Sequence, residues 1–385
     1  MGWQKQIAGC KMYQIVRKMK LLKGELRKLH SATFSNILNE VKVDRINLLE
    51  TEKELGRKFT RSSYLAEIML IQRSKATWVK LGDDNTRYFY TVLKQKKLKE
   101  SIYQLKDKNQ QMQHDPVVIV DIFVRFYKQM LGETGGTKQK VYLGFLRYGH
   151  ILITDQQVGL LKPYTWEEVK LALFGININK SPGPDGFGSG FFRDTWPIIC
   201  KEFTYAILET LRTGKLLQQL NATSIALIPK VKNPEIAGHF RPIACCNVIY
   251  KCILKMLCKI LKLVLSTLVN DTQAPFYSGR SLVHNVLICH DLMRHYNRKK
   301  TPRCLMKIDL RKAYDMVKWE FLEEMLHGFE FPGKFVKLIM MCVTTTKFSI
   351  KVNGTSYGYF EGKRGLRQGD PHFPLALCPS HGVPV

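Results

Sequence analysis

An apolar run that ends in a carboxylate is the feature that most constrains the fold of this chain. Residues 304–310 predict a buried strand, and residues 312–328 follow with the spacing of a helix. Asp309 therefore stands at the carboxyl end of a strand, where it is expected to project into a cleft. A cap for the following helix is the simpler alternative for this single residue.

The balance of charge points to a polyanionic partner. The 385 residues contain 60 Lys and Arg against 32 Asp and Glu, which gives a formal net charge of +28. An excess of this size favours binding to nucleic acid and, less often, to an anionic membrane. A basic surface without a specific partner is the alternative. The hydrophobic fraction of 45% is that of a globular chain and excludes a disordered one.

The sequence carries none of the usual patterns for secretion or membrane insertion. It has no secretory hydrophobic segment and no run of about 18 uncharged apolar residues. The chain begins Met1-Gly2, but Gln6 breaks the myristoylation pattern. Ten cysteines are scattered without a C-x-x-C pair or zinc-ligand spacing, as is typical of reduced thiols. We therefore expect an intracellular protein, nuclear or cytoplasmic, that has no membrane partner.

Helical patterns dominate the first half of the chain. Apolar residues at three- and four-residue spacing predict long helices over residues 3–80. These helices would serve either as a nucleic-acid-binding arm or as an ordinary linker. Further patterns predict a short strand at 102–105 and helices at 117–131, 156–177 and 191–212. Thr165 is the expected N-cap of the helix at 156–177, with acidic residues in its first turn.

The last third of the chain contains a basic amphipathic helix and a hairpin. Residues 250–269 predict the helix, and four lysines share one stripe of it: Lys251, Lys255, Lys259 and Lys262. A membrane-surface or calmodulin-type role is one alternative. We favour a core helix whose basic side faces solvent or phosphate. Alternating segments at 348–352 and 356–360 flank Asn353-Gly354, which predicts a tight β-hairpin.

Several short motifs follow one another in an order that no single motif would establish. The turn cluster of residues 180–186, Lys-Ser-Pro-Gly-Pro-Asp-Gly, is by itself only a tight loop. The other motifs lie at residues 78–89, 225–230, 240–243, 250–251, 273–280, 309–315 and 365–371. Together and in this spacing, they resemble the reverse transcriptase of LINE-type (non-LTR) retrotransposons, most closely those of plants.

The resemblance implies an α+β fold and a division of the chain. A helical arm over residues 1–100 and a mixed helical linker over 101–178 would precede the polymerase. Residues 179–371 would form the fingers and part of the palm of a right-hand polymerase, and 372–385 an aberrant tail. The implied reaction is RNA-templated, Mg²⁺-dependent nucleotidyl transfer. Its partners are an RNA template, a DNA primer and deoxynucleoside triphosphates.

The resemblance also assigns roles in nucleotide binding. Lys230 and Arg241 would contact the triphosphate, for which the planar donors of arginine are suited. Gln368 and Gly369 would line the pocket in which the templating base and the nucleotide pair. The ring of Tyr314 would lie close to the incoming sugar and disfavour a ribose 2′-hydroxyl.

The catalytic metal site is implied only in part. Asp309 would be the catalytic carboxylate and a Mg²⁺ ligand, with Leu310 beside it in the metal site. Two Mg²⁺ ions need a second set of carboxylates, which the family carries as paired aspartates on a hairpin. No Asp or Glu follows Asp370 in this sequence. We therefore expect a truncated fragment, lacking the thumb and the preceding endonuclease, that has lost polymerase activity.

One departure from the family pattern, one misleading motif and two alternatives accompany this interpretation. His284 stands where the family usually has Asp. Gly82-Asp83-Asp84 looks like the Gly-Asp-Asp of RNA-virus polymerases, but it lies far upstream of Asp309, whereas such a pair should follow it. The alternatives are a non-enzymatic basic remnant that binds RNA or DNA, and a maturase-like splicing factor.

Overall fold

The chain divides by its internal contacts into two compact units, residues 1–8 with 16–103 and residues 9–15 with 104–385. The computed structural model describes Trp3 and residues 5–34, 94–95, 101–134, 151–268, 282–294 and 313–369. The second unit contains both helices and a sheet. The mixture of helix and strand expected from the sequence is therefore confirmed.

A long helix, α1 (Lys11–Phe34), accounts for most of the described residues ahead of residue 94. It confirms the helical pattern expected near the start of the chain. Within the first unit, the Lys18 ammonium lies 5.4 Å from the centre of the Trp3 ring, a distance suited to a cation–π contact. The rest of the predicted helical region, residues 35–80, lies outside the described residues.

Ten of the described helices belong to the second unit. They are α2 (Pro116–Leu131), α3 (Thr154–Leu160), α4 (Trp166–Phe174), α5 (Ser189–Asp194), α6 (Trp196–Thr213), α7 (Val248–Leu268), α8 (Leu282–Arg294), α9 (Ala313–Met316), α10 (Trp319–Gly328) and α11 (Gly333–Thr344). The predicted helix at 117–131 is confirmed as α2, which begins where the Asp115 carboxylate accepts from the Val117 N–H at 2.9 Å.

The predicted helix at 156–177 is divided into α3 and α4. Pro163 lies in the break, where its missing N–H and fixed φ do not favour a continuous helix. Thr165 then begins α4 with a reciprocal capping box. Its hydroxyl accepts from the Glu168 N–H at 3.3 Å, and the Glu168 carboxylate accepts from the Thr165 N–H at 3.1 Å. The continuous helix was a wrong prediction, whereas the Thr165 cap is confirmed.

Two other predicted helices are also interrupted. Residues 191–212 fall into α5 and α6, which meet at Thr195 ahead of Pro197. Residues 312–328 were expected to form one helix, but α9 and α10 are separated by a short extended segment. The Val317 carbonyl in this segment accepts from the Gly365 N–H at 2.7 Å. A tertiary hydrogen bond therefore replaces the helical one at this point.

A mixed sheet forms the centre of the second unit. Within the described residues its order is β4–β3–β5–β6, made from β3 (Ala222–Pro229), β4 (Phe240–Cys246), β5 (Lys347–Val352) and β6 (Thr355–Glu361). β3 pairs antiparallel with β4 and parallel with β5, and β5 pairs antiparallel with β6. The short strand predicted at 102–105 is displaced along the chain to β1 (Leu105–Lys106), so that only Leu105 was placed correctly, and β1 pairs with β2 (Met112–Gln113).

The β5–β6 hairpin has the turn that the sequence predicted. Asn353-Gly354 adopts positive φ at both residues, 48° and 90°, as a two-residue type I′ turn requires. The register shifts between Ser349 and Ile350, which leaves Gly358 as an extra residue on β6. A Cβ on Gly358 would lie 2.7 Å from Cγ1 of Val124, so glycine allows α2 to pack closely on this strand.

The predicted basic helix is confirmed as the buried helix α7. Tyr250, Cys252, Ile253 and Leu257 on this helix are all almost completely buried. α7 packs chiefly against α4. α2 contacts the sheet through an edge-to-face pair of Phe123 with Phe240 of β4. In the part of the chain that the structure describes, no helix combines the length and apolarity needed to cross a bilayer.

Candidate nucleotide-binding site

The β3–β4 hairpin brings two of the predicted nucleotide-binding residues to one end of the sheet. Ile228 of β3 pairs with Arg241 of β4. One step further, the Lys230 N–H donates to the His239 carbonyl at 2.8 Å, and the Lys230 ammonium donates to the Gly238 carbonyl at 3.1 Å. Lys230 and Arg241 therefore flank the same turn, although the whole turn separates them in the sequence.

Arg241 is presented to solvent by the alternation of β4. Phe240, Pro242 and Ala244 are buried on one face of the strand, so Arg241 lies on the opposite face. Its side chain is exposed and forms no hydrogen bond or ion pair with any of the described residues. The five N–H donors of this guanidinium are thus available to a ligand, and their planar arrangement matches phosphate oxygens.

Gln368 and Gly369 lie beside the same strand. The Ala244 N–H of β4 donates to the Gln368 carbonyl at 2.8 Å. Gly369 has a φ of 109°, a conformation that side chains rarely adopt, and a Cβ there would lie 3.4 Å from the Ala244 carbonyl oxygen. Ala244 follows Arg241 by three strand positions, or about 10 Å at the usual rise. The structure therefore places Arg241 on β4, Lys230 at the turn before it, and Gln368 and Gly369 beside Ala244 of the same strand.

Arg367 anchors this segment, a role that sequence reasoning missed. Its guanidinium is buried and donates to the Thr223 hydroxyl at 2.8 Å and to the Cys342 carbonyl at 3.2 Å. It also lies 4.1 Å from the centre of the Tyr250 ring, whose hydroxyl donates to the same carbonyl at 3.1 Å. Arg367 therefore connects β3, α7 and α11 directly beneath Gln368. Its place in the Arg-Gln-Gly motif gives no indication that it is buried.

Gly365 connects the same segment to the region after α9. The Trp319 indole donates to the Gly365 carbonyl at 2.8 Å. Gly365 has a φ of 78°, and a Cβ there would lie 2.9 Å from the Asp315 carbonyl oxygen. Burial, and then the charge of Asp315, raise the pKa of the Tyr127 hydroxyl, which donates to a β4 carbonyl at 3.4 Å. Asp315 therefore lies close enough to Tyr127 to affect its hydroxyl, and Tyr127 is the residue that contacts the Phe240 carbonyl of β4.

The Pro- and Gly-rich loop of residues 180–186 docks at the point where β4 leads into α7. The buried Asn247 amide accepts from the Asp185 N–H at 3.2 Å and donates to the Leu220 carbonyl at 3.1 Å. A Cβ on Gly183 would overlap the Asn247 side chain and backbone. Lys251 donates to the Ser181 carbonyl at 2.8 Å. The loop motif therefore supports the far end of the strand that carries Arg241.

The remaining site predictions stay untested. Asp309 and Leu310, the predicted catalytic and metal residues, lie outside the described residues. Tyr314 is part of α9, but its side chain is not among those described. Within the described ranges, no group of three or more His, Cys, Asp or Glu side chains could hold a metal ion. The structure therefore shows where Lys230, Arg241, Gln368 and Gly369 lie, while their role in nucleotide binding and the metal site both remain predictions.

Comparison with known proteins shows what this chain is similar to. The family described as reverse transcriptase (RNA-dependent DNA polymerase) matches residues 228–378. The chain is 25% identical over 292 residues to the transposon TX1 uncharacterized 149 kDa protein of Xenopus laevis, which covers 75% of this chain and 22% of that protein. The non-enzymatic and maturase-like alternatives are not favoured by these matches.

The name of a second relative also refers to a transposable element. The retrovirus-related Pol polyprotein from type-2 retrotransposable element R2DM of Drosophila melanogaster is 25% identical over 202 residues. That match covers 52% of this chain and 18% of the polyprotein. The chain thus spans about a fifth of the length of the curated relatives it matches.

Proposed function

We propose that the chain carries a reverse transcriptase domain of the non-LTR retrotransposon type and that it binds a deoxynucleoside triphosphate for RNA-templated DNA synthesis, which the family match and the two relatives support. The observation that carries this proposal is the convergence of residues on β4. Lys230 and Arg241 flank the turn of the β3–β4 hairpin, and Gln368 and Gly369 lie beside β4. In this proposal the two cations bind the triphosphate, while the base pairs with the template against Gly369.

The described sheet would then be the fingers of a right-hand polymerase. We propose the following division: residues 1–100 a helical arm, 101–178 a linker, 179–371 the fingers and part of the palm, and 372–385 an aberrant tail. The motif set supports a plant-like lineage and a fragment of a longer element. The substrates would be an RNA template, a DNA primer and deoxynucleoside triphosphates.

The metal site belongs to the same proposal. Asp309 and Leu310 would hold a divalent ion, Mg²⁺ by the family resemblance, and the Tyr314 ring would face the sugar of the nucleotide. When bound, Mg²⁺ supplies charge neutralisation on the phosphates and favours the alkoxide form of the primer 3′-hydroxyl. The chain's own part would be to fix the triphosphate through Lys230 and Arg241.

Nucleotide binding can be tested without relying on turnover. The polypeptide of residues 1–385 would be cross-linked by ultraviolet light to a trace of radiolabelled dTTP in the presence of a poly-rA/oligo-dT duplex and increasing concentrations of unlabelled dTTP. We expect dTTP to compete and Arg241→Ala to weaken this competition roughly tenfold or more, because a charge-assisted contact contributes about 1.5–3 kcal/mol. Lys230→Ala should act in the same direction.

Lys232→Ala is the matched control, since Lys232 is an exposed lysine of the same turn. It should leave dTTP competition unchanged. Equal losses for Lys230→Ala and Lys232→Ala would show a general charge effect and contradict the assigned site.

Primer extension tests the catalytic part of the proposal. On poly-rA/oligo-dT we expect no synthesis from the 385-residue polypeptide, because residues 371–385 contain no carboxylate that could share two Mg²⁺ ions with Asp309. Robust Mg²⁺-dependent incorporation of dTTP would overturn this expected inactivity. Nucleotide cross-linking would still measure the binding site in either case.

A further inference from the structure

A basic groove lies between α4 and α7, away from the residues that the proposed function uses. Its volume is about 340 Å³. The residues that matter for its chemistry are Tyr164, Glu168, Lys255, Lys259 and Lys262. We call it the α4–α7 groove.

The structure separates the four lysines that share one stripe of α7. Lys251 is buried and donates to the Ser181 carbonyl at 2.8 Å, so it stabilises the neighbouring loop. Lys255, Lys259 and Lys262 line the groove instead. From the first to the last of these three residues, α7 rises about 10 Å, which exceeds the size of one phosphate. The groove is therefore suited to a chain of anions more than to a single one.

Positive charge in the groove is only partly compensated. Glu168 is the one carboxylate among its described lining residues, and it already accepts from the Thr165 N–H at 3.1 Å and from Lys259 at 3.2 Å. Among the described residues, no carboxylate forms an ion pair with Lys255 or Lys262. Burial lowers the pKa of Lys255, and nearby cations that include Lys262 lower it further. An anion would relieve this repulsion.

The hydroxyl of Tyr164 has no described partner. Its oxygen is buried and neither donates nor accepts a hydrogen bond within the described part of the chain. Burial is the main cause of a raised pKa at Tyr164, so the hydroxyl keeps its proton and can act as a donor. A buried hydroxyl without a partner lowers stability unless something binds to it. The groove thus combines excess positive charge with an unused donor.

We propose that the α4–α7 groove binds successive phosphates of a polynucleotide strand, with Lys259 and Lys262 contacting the backbone and Tyr164 donating to a phosphate oxygen. This inference rests on the proposed function for the nature of the ligand, since that function requires a polynucleotide. The net charge of +28 supports the same class of ligand. The groove would hold a strand through phosphates alone, without reading its sequence.

The test compares two double variants that remove the same charge. Fluorescence anisotropy would measure binding of the 385-residue chain to a labelled 20-nucleotide RNA over a range of KCl concentrations. Lys259→Gln with Lys262→Gln should weaken binding roughly tenfold and reduce the slope of log affinity against log salt by about 1.4, because two phosphate contacts are lost. The control is Lys201→Gln with Lys215→Gln, two exposed lysines elsewhere on the second unit.

The control pair should change RNA affinity by less than twofold. Equal losses in the two double variants would overturn the proposal, because the effect would then be one of net charge. DNA of the same sequence should lose affinity to the same extent, since both strands carry phosphodiesters. A loss confined to RNA would contradict a contact to phosphate.

Tyr164→Phe tests the hydroxyl separately. It should weaken RNA binding about threefold while the melting temperature stays the same or rises, because the variant removes an unpartnered polar group. Unchanged RNA affinity would remove Tyr164 from the site. Nucleotide competition in the same preparations separates the two proposals. In the unaltered chain, absent dTTP competition together with RNA binding that depends on Lys259 and Lys262 would refute the nucleotide site alone. Normal dTTP competition together with RNA binding that the Lys259→Gln, Lys262→Gln variant leaves unchanged would refute the groove alone.

Discussion

Two arginines beside β4 show how differently one residue type is used within a single motif set. Arg367 is buried, with its guanidinium against Thr223 of β3, Cys342 of α11 and the Tyr250 ring of α7. Arg241 lies on the open face of the strand, exposed to solvent. The buried arginine holds the site in place, while the exposed one is available to a ligand. Burial, and not the presence of a residue in a motif, separates positioning residues from binding residues.

Replacement of Arg367 should have the largest effect on stability. Arg367→Met removes two hydrogen bonds and the contact with the Tyr250 ring, while it leaves buried polar groups without these donors. We expect a loss of about 3–4 kcal/mol in the free energy of unfolding, measured by urea denaturation. Arg367→Lys should recover only part of this, because an ammonium cannot reproduce the planar pair of donors.

Arg241→Met is the matched control for this comparison. An exposed side chain without described partners should change the free energy of unfolding by less than about 0.5 kcal/mol. If the Arg241 and Arg367 variants lost equal stability, both arginines would be structural, and the distinction between a buried and an available arginine would be wrong.

Local patterns in the sequence predict part of this region and miss the rest for a physical reason. The Asn353-Gly354 turn and the Thr165 cap are set by residues within a few positions, and both are confirmed. β3 and β4 were recognised only as motifs, because their apolar stretches do not alternate strictly. The role of Arg367 depends on Thr223 and Cys342, which lie far away in the chain. No local pattern contains that information.

The residues of the candidate site were likewise predicted only in part from the sequence. The resemblance named Lys230, Arg241, Gln368 and Gly369, and the structure places all four on β4 or next to one of its ends or residues. The sequence could not show that Lys251 binds the Ser181 carbonyl while Lys262 lines a groove, since all four lysines lie on the same stripe of α7. That difference arises from the loop and helix that pack on α7. Tertiary packing therefore decides which members of a regular pattern are available to ligands.

Gly365→Ala should have the second largest effect on stability. It tests whether the buried segment that contains Arg367 is held as tightly as its contacts indicate. The residue has a φ of 78°, and a new Cβ would lie 2.9 Å from a backbone oxygen of Asp315. We expect a loss of about 2–3 kcal/mol from backbone strain and overlap together, measured by thermal unfolding. Gly333→Ala is the control, because a Cβ at Gly333 would meet nothing within 4 Å. A similar loss at Gly333 would remove the geometric explanation.

Asn247→Ala tests the support at the other end of β4. The variant loses the hydrogen bonds that the Asn247 amide makes with the Asp185 N–H and the Leu220 carbonyl. We expect a loss of about 1–2 kcal/mol, and faster hydrogen exchange at residues 180–186 than elsewhere in the unit. Thr165→Ala serves as a control with a local cap of similar energy. Exchange at the loop that is unchanged in Asn247→Ala would mean that the loop is held by other contacts.

The smallest effect on stability is expected at an exposed ion pair near the turn of the β3–β4 hairpin. Lys106 and Glu235 form this pair at the surface, where solvent screens the charges. The hydrogen bond and charge of Lys106 lower the pKa of Glu235, so the stabilisation is present above the ordinary glutamate pKa and is lost as the pH falls through the lowered value. Lys106→Met should therefore raise the pKa of Glu235 towards its ordinary value, as followed by carboxyl carbon NMR, with little change in melting temperature at neutral pH. A large fall in melting temperature would show that exposure does not separate structural from available charges in this molecule.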